Sequence, residues 1–275
     1  MPQTALVTGG GRGLGRAFAL ALAGNGMRVA IASHNAAELN ETLALLEEQG
    51  ADAFAIPTDI TDEAAVCHMA AATEQRLGPI DLLINNAGAG PPFGPTWETD
   101  SNAWWSNIEV NLKGPMLCAK AVIPGMIQRR RGRIVNVASG AGTVAIPYMS
   151  AYVTAKAALI RFTEVLAREL RPHGIPVFAI QPGTVRTAMA ESLIQSEAGQ
   201  RYLPWFKKIF DDHLDDSSKP GEDLVLHLAS GQADTLTGRF FAAPEAPANL
   251  AGEADRILSE NLNVLRLRSG GRPDQ

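Results

Sequence analysis

Short apolar runs and amphipathic stretches alternate along most of this chain. Thr4 to Thr8 (TALVT) is an apolar run ending in glycines, followed by a helical pattern from Gly15 to Asn25 and a second run from Met27 to Ala32. The alternation continues with a helix from Ala36 to Gln49, a strand from Ala53 to Pro57, a helix from Asp62 to Leu77 and a strand from Ile80 to Ile84. A long helix from Ser101 to Arg130, a strand from Arg133 to Val137, a helix from Ala151 to Arg171 and a strand from Pro176 to Ile180 follow. Strands that are short and apolar on both faces need cover on both sides, which a parallel sheet between two helical layers supplies. The pattern predicts an α/β fold.

The regular alternation stops between Ala188 and Lys219. Leu193, Ile194, Tyr202, Trp205, Phe206 and Ile209 mix there with charges and Pro204, which suggests a substrate-covering lid of short helices. The acidic stretch Asp211 to Asp216 lacks the interleaved spacing of hard metal ligands and is expected to be a solvated face, so no metal site is assigned. A helix from Pro220 to Ala229 and a strand from Thr237 to Ala243 close the pattern. Residues 1–243 are expected to form one domain, with 244–275 as an extension: a linker with Pro244 and Pro247, then a helix carrying Leu250, Ala254, Ile257, Leu258, Leu262 and Leu265. That helix is expected to cover a sheet edge or a subunit interface, and Ser269 to Gln275 are expected to be mobile.

Composition narrows the class. At 275 residues, 46% apolar, 19% charged and with mean hydropathy near zero, the chain is globular, and no apolar run reaches the roughly 18 residues of a membrane span. A formal charge of -5 gives no basic face for nucleic acid; the one dense cationic cluster, Arg129, Arg130, Arg131 and Arg133, fits a helix end. Cys67 and Cys118 lie far apart in alanine-rich helical settings, which suggests two small core residues and no disulfide. A first strand at Thr4 leaves no room for a secretory leader, so a cytoplasmic location is expected.

Two stretches carry chemistry. Thr8-Gly9-Gly10-Gly11-Arg12-Gly13-Leu14-Gly15 joins the first strand to the first helix with the spacing T-G-x-x-x-G-x-G. Glycines there allow positive φ and close approach of backbone N–H groups to a pyrophosphate, beside a helix N-terminus that favours negative charge. The second stretch is Tyr152-Val153-Thr154-Ala155-Lys156, with Ser139 thirteen residues upstream. On a helix, Tyr152 and Lys156 share a face. A phenol with a pKa near ~10 transfers protons poorly at neutrality unless a cation stabilises the phenolate, and Lys156 carries one. A hydroxyl at Ser139 can polarise a carbonyl that Tyr152 protonates.

Taken in order, Thr8 to Gly15, Asn85-Asn86-Ala87-Gly88, Asn111, Ser139, Tyr152, Lys156 and Pro182-Gly183 resemble the short-chain dehydrogenase/reductase family in its short single-domain branch, over Thr4 to Ala243. The resemblance implies a doubly wound Rossmann fold with a seven-stranded parallel sheet, an NAD(P)(H) cofactor, and interconversion of a carbonyl and a secondary alcohol by hydride transfer. It implies that Tyr152 is the general acid/base, that Lys156 lowers its pKa and bonds the nicotinamide ribose, that Ser139 orients the substrate oxygen, and that Asn111 joins a water relay. By the same resemblance the cofactor is held by Gly9, Gly11, Arg12, Gly13, Leu14, Gly15, Ser33, His34, Asp59, Ile60, Asn86, Ala87, Gly88, Tyr152, Lys156, Pro182, Gly183, Val185 and Thr187. For Asp59, capping of the helix near Asp62 is the competing role, with Thr61 another candidate cap.

Ser33-His34-Asn35 offers no acid for a ribose 2′-hydroxyl, whereas Arg12 can pair with a 2′-phosphate, so NADP(H) is favoured over NAD(H). The family's dimer core of long fourth and fifth helices implies a homodimer or homotetramer, with the tetramer in doubt because some thirty residues follow Ala243. The alternative function is a catalytically silent cofactor-binding regulator, against which the intact Asn111, Ser139, Tyr152 and Lys156 argue. Gly90 to Phe93, Gly140 to Met149 and Ala188 to Phe210 should line an apolar pocket suited to a medium-sized, uncharged small-molecule ketone or secondary alcohol. Steroid, polyketide, sugar-derived and xenobiotic carbonyls stay open.

Overall fold

The computed structural model describes residues 3–246 and 250–266. Seven strands, β1 (Thr4–Thr8), β2 (Arg28–Ser33), β3 (Ala53–Pro57), β4 (Ile80–Asn85), β5 (Arg133–Val137), β6 (Val177–Gln181) and β7 (Phe240–Ala242), form one sheet in the order β3-β2-β1-β4-β5-β6-β7. Every pairing is parallel. The chain winds outward from β1 in one direction and from β4 in the other, which opens a crevice at the carboxyl ends of these two strands.

The period of two along each strand sends alternate residues into different helical layers. Ala5 and Val7 of β1 pack with Phe18 and Leu22 of α1 (Gly13–Gly24), Leu39 and Leu46 of α2 (Ala36–Glu48), and Leu224 and Leu228 of α10 (Lys219–Ser230). Leu6 between them packs on the other face, with Val66 and Met69 of α3 (Glu63–Leu77), Leu117 and Val122 of α5 (Gly114–Arg129), and Leu166 of α6 (Ser150–Leu170). The doubly wound sheet expected from the sequence is the fold observed. Buried polar groups between β4, β5 and α6 are chained: Asn85 donates to Asn136 at 2.9 Å, Asn136 to Thr163 at 2.9 Å, and Thr163 to the Leu159 carbonyl at 2.9 Å.

Several expectations change in detail. The helix from Ser101 to Arg130 is α4 (Ser101–Ile108) and α5 joined by a π-helical turn, Glu109–Lys113, that carries Asn111. Arg129 ends α5 and Arg130 takes the left-handed cap at φ 49°, as the arginine cluster suggested, while Arg131 and Arg133 leave to pair with Asp81 and Asp234. The cap of α3 is Asp62, which accepts from Ala64 and Ala65; neither Asp59 nor Thr61 fills it. Cys67 is exposed rather than a core residue, and only Cys118 is buried. The last strand is shorter than Thr237 to Ala243, because Gly238 turns at φ 85° and its N–H is taken by Val177 O.

Among its described residues the extension holds a helix, α11, only over Ala254–Ser259. Leu250 and Ile257 enter the α1/α2/α10 core, and Asn261 and Asn263 then turn the chain at φ 50° and 61°. Asn263 accepts from Phe240 N at 2.9 Å and returns its side-chain amide to Phe240 O at 2.8 Å, along the edge of β7 that faces away from β6. Glu164 of α6 fastens the same strap by accepting from Leu265 N and Arg266 at 2.9 Å each. The described residues of the extension therefore cover a sheet edge and line no part of the crevice; Pro247 and Ser269 to Gln275 lie outside the described residues. No helix among the described residues is long and apolar enough to cross a membrane.

Candidate active site

The β1–α1 turn is shaped by contacts that exclude side chains. A Cβ on Gly15 would stand 2.1 Å from Gly9 O, and one on Gly9, which sits at φ 66°, would stand 2.8 Å from Ala87 Cα. Asn86 ties the end of β4 to this turn, its Nδ2 donating to Thr8 O at 2.9 Å and Gly9 O at 3.3 Å. Arg12 occupies the N-cap of α1 in extended conformation without a side-chain capping bond. Backbone donors at this helix start are left to face an anion, and the open glycine cradle fits a dinucleotide pyrophosphate.

A cavity of about 840 Å³ begins at this turn and runs under the lid. All the sequence-derived site residues reach its wall except Gly11. Gly11 instead lets α2 approach: a Cβ there would lie 3.0 Å from Glu38 Cβ, and its carbonyl accepts from Arg16 and Thr42. Asp59 accepts from Thr61 N and Oγ1 at 2.8 Å each, and these bonds hold its carboxyl below the usual range. Thr187 caps the first lid helix, α7 (Ala188–Gln195), by accepting from Ala190 N at 3.2 Å.

The α6 helix runs from Ser150 to Leu170 without proline or glycine, so Tyr152 and Lys156 stand one turn apart on its cavity side. Lys156 is 4% exposed, donates to Val137 O at 2.9 Å, and is pushed down to about 8 by burial. Its Nζ lies 5.6 Å from the Tyr152 ring centroid. Burial pushes the Tyr152 phenol up, and a hydrogen bond with Ser139 pulls the other way. The hydroxyl of Ser139 is thus the hydrogen-bonding group that favours the phenolate in this geometry. Ser139 itself is fixed by accepting from Ala141 N at 3.2 Å, at the end of β5.

Asn111 is fully buried in the π turn. Its Nδ2 donates to Ala89 O and Asn107 O at 3.0 Å each, and its Oδ1 accepts from Ala89 N at 3.4 Å. A Cβ on Gly88 would lie 3.0 Å from Asn111 Oδ1 and 3.8 Å from Lys156 Nζ, so this glycine keeps open the space between the two side chains.

Three polar side chains that hold or line the site, among others, escaped the sequence reading. Glu38, in the first turn of α2, lines the cavity and pairs with Arg12 at 2.9 Å; the spacing Asn35-Ala36-Ala37-Glu38 of a helix start was the signal available. Asn107, one helical turn before Asn111, donates to Gly90 O at 2.7 Å. Asp216 accepts from Thr184 N at 2.6 Å and bridges Val185, so the end of the acidic stretch is no solvated face but a brace for the Pro182-Gly183 turn. No local pattern announces that contact. Asp215 lies 3.9 Å from Arg186.

The lid consists of α7, α8 (Glu197–Tyr202) and α9 (Pro204–Asp211). Met189, Leu193, Leu203, Trp205, Phe206 and Ile209 line the cavity from this side, opposite Val144, Ile146 and Met149. Tyr148, at φ 66°, stacks on Tyr202 of α8 with centroids 4.8 Å apart and joins the two walls.

A short chain dehydrogenase family profile matches residues 3–198. The chain is 36% identical over 279 residues to a short chain dehydrogenase of Pseudocercospora fijiensis, covering 96% of this chain and 90% of that one. It is similar in structure to an actinorhodin polyketide ketoreductase with NADPH (TM-score 0.80, 29% identity, 91% of this chain and 97% of that chain). An NAD+-bound xylitol dehydrogenase gives a TM-score of 0.81 at 31% identity over 87% of this chain and 96% of that chain. The chain belongs to the short chain dehydrogenase family. It is an NAD(P)-dependent oxidoreductase acting on a CH–OH/C=O pair.

Proposed function

We propose that this chain interconverts a medium-sized, uncharged ketone and its secondary alcohol, with NADP(H) favoured over NAD(H). The observation that carries the reading is the meeting of Ser139, Tyr152 and Lys156 where the glycine-turn half of the cavity joins the apolar lid half. The bound nicotinamide supplies or accepts the hydride. Ser139 holds the substrate oxygen toward Tyr152, whose hydroxyl gives the proton in reduction and takes it back in oxidation. Lys156, anchored on Val137 O, brings a positive charge to the phenol and a donor to the cofactor ribose. Asn111 fixes the Ala89 backbone beside Gly88 and borders the route by which the proton reaches solvent.

The cofactor is held by Gly9, Gly13, Leu14 and Gly15 at the pyrophosphate, by Asp59, Ile60, Asn86, Ala87 and Gly88 along the adenosine, and by Pro182, Gly183, Val185 and Thr187 at the nicotinamide. The lean toward NADP(H) rests on Arg12 beside Ser33 and His34, with no acid in Ser33-His34-Asn35. The substrate class rests on the walls formed by residues 140–149 and 188–210, which bring no charged side chain to the cavity. Residues 1–243 form one catalytic unit and the extension braces its β7 edge. Two unpaired cysteines support a cytoplasmic location. The proposed assembly is a homodimer or homotetramer, which light scattering refutes if it gives a clean monomer at micromolar concentration.

A turnover screen of carbonyls and alcohols with both nicotinamides tests the function. Tyr152→Phe is expected to lower turnover at least about 100-fold while cofactor binding persists. Unchanged turnover would exclude the acid/base role.

A further inference from the structure

We propose that Glu38 limits how strongly this chain distinguishes a 2′-phosphorylated from an unphosphorylated adenosine ribose, by competing with the phosphate for the Arg12 guanidinium. The proposal rests on the NADP(H) reading above and adds a residue that opposes it.

Arg12 Nη1 lies 2.9 Å from Glu38 Oε1, and both side chains line the cavity together with Ser33 and His34 at the carboxyl end of β2. The other arginine of the turn is committed elsewhere: Arg16 donates to Gly11 O at 3.1 and 2.7 Å, to Thr42 at 2.8 Å and to Glu41 at 2.9 Å. Recognition of a 2′-phosphate from the turn therefore falls to Arg12. Its side chain is 58% exposed against 23% for Glu38, so the arginine is the partner free to swing.

Glu38 is seated. Its Cβ and backbone carbonyl carbon pack against Gly11, where an added Cβ would come 3.0 and 3.2 Å from them. An ion pair this exposed is weakly held, and a phosphate dianion that accepts in bidentate fashion displaces it. The carboxylate then remains beside the phosphate as a like charge, with Asp59 a second acid on the same wall. Glu38 thus subtracts from the affinity that Arg12 supplies.

Titration calorimetry on the full chain tests this, with adenosine 2′,5′-bisphosphate and adenosine 5′-monophosphate as probes at one low salt concentration. Glu38→Gln is expected to raise the ratio of the two affinities about tenfold, and Glu38→Ala, run beside it, to move the ratio the same way. In an Arg12→Gln background the gain should fall below about threefold, because the competition needs the guanidinium. A ratio that falls, stays unchanged, or rises equally in both backgrounds overturns the proposal. A wild type that prefers the monophosphate, yet gains tenfold with Glu38→Gln, overturns the NADP(H) reading and supports this one. A wild type that prefers the bisphosphate, with a ratio insensitive to Glu38→Gln, does the reverse.

Discussion

Replacing Lys156 by methionine should make this protein more stable at pH 7 while abolishing its turnover. The ammonium is 4% exposed and its pKa is lowered from 10.5 to about 8 by burial. At about 1.4 kcal/mol per unit, that depression means the folded state carries roughly 3 kcal/mol of penalty for holding the charge. Below pH 8 both the folded and unfolded chains are protonated and the whole penalty is present. Between pH 8 and 10.5 the unfolded chain keeps a proton that the folded chain has lost, so stability rises with pH across that window, and above it the penalty is gone. Methionine removes the charge with little change in shape but leaves Val137 O without the 2.9 Å donor it now has, a loss of about 1–3 kcal/mol. The net expectation is a gain of roughly 1–2 kcal/mol at pH 7, or about 2–6 °C in Tm. Calorimetric melting of both proteins at equal concentration, at pH 7 and pH 10.5, measures it, and turnover should fall at least about 100-fold. A variant less stable than wild type at pH 7, or one with the same advantage at both pH values, would refute the reasoning.

Gly15→Ala should abolish nicotinamide dinucleotide binding and lower Tm, because the added methyl would stand 2.1 Å from Gly9 O; calorimetric titration showing wild-type affinity would contradict this. Ending the chain after Glu260 removes the Asn263 strap and bares Phe240 N and O on the β7 edge. Light scattering of that truncated chain should show association beyond the full-length state, and an unchanged mass would mean the edge needs no cover.

Much of the site was legible because its determinants are local. The glycine spacing, the i and i+4 placement of Tyr152 and Lys156, and Ser139 at a strand end are each set within a few residues of sequence. What stayed hidden depends on distant partners. The brace from Asp216 to Thr184 spans 32 residues and crosses the whole lid, and nothing in the acidic stretch marks which carboxylate makes it. Arg12 and Glu38 lie 26 residues apart and meet only because α2 packs against Gly11.

The sequence by itself determined the α/β class and its strand segments, since apolar period and turn chemistry act over one element at a time, while the seven-stranded doubly wound sheet followed from the family resemblance. Tertiary structure decided the environment of each functional group. Burial of Lys156 and of the Tyr152 phenol depends on the β5 end, the Ser139 turn and the π turn packing on α6 together, so the phenol's raised pKa and its dependence on Ser139 were not available from the spacing of two residues. The same holds at the far edge of the sheet: periodicity suggested a helix through Leu265, but the unpaired groups of β7 and the carboxylate of Glu164 drew residues 261–266 into a strap instead. A backbone edge that must be hydrogen-bonded outweighs a weak helical preference over so short a stretch.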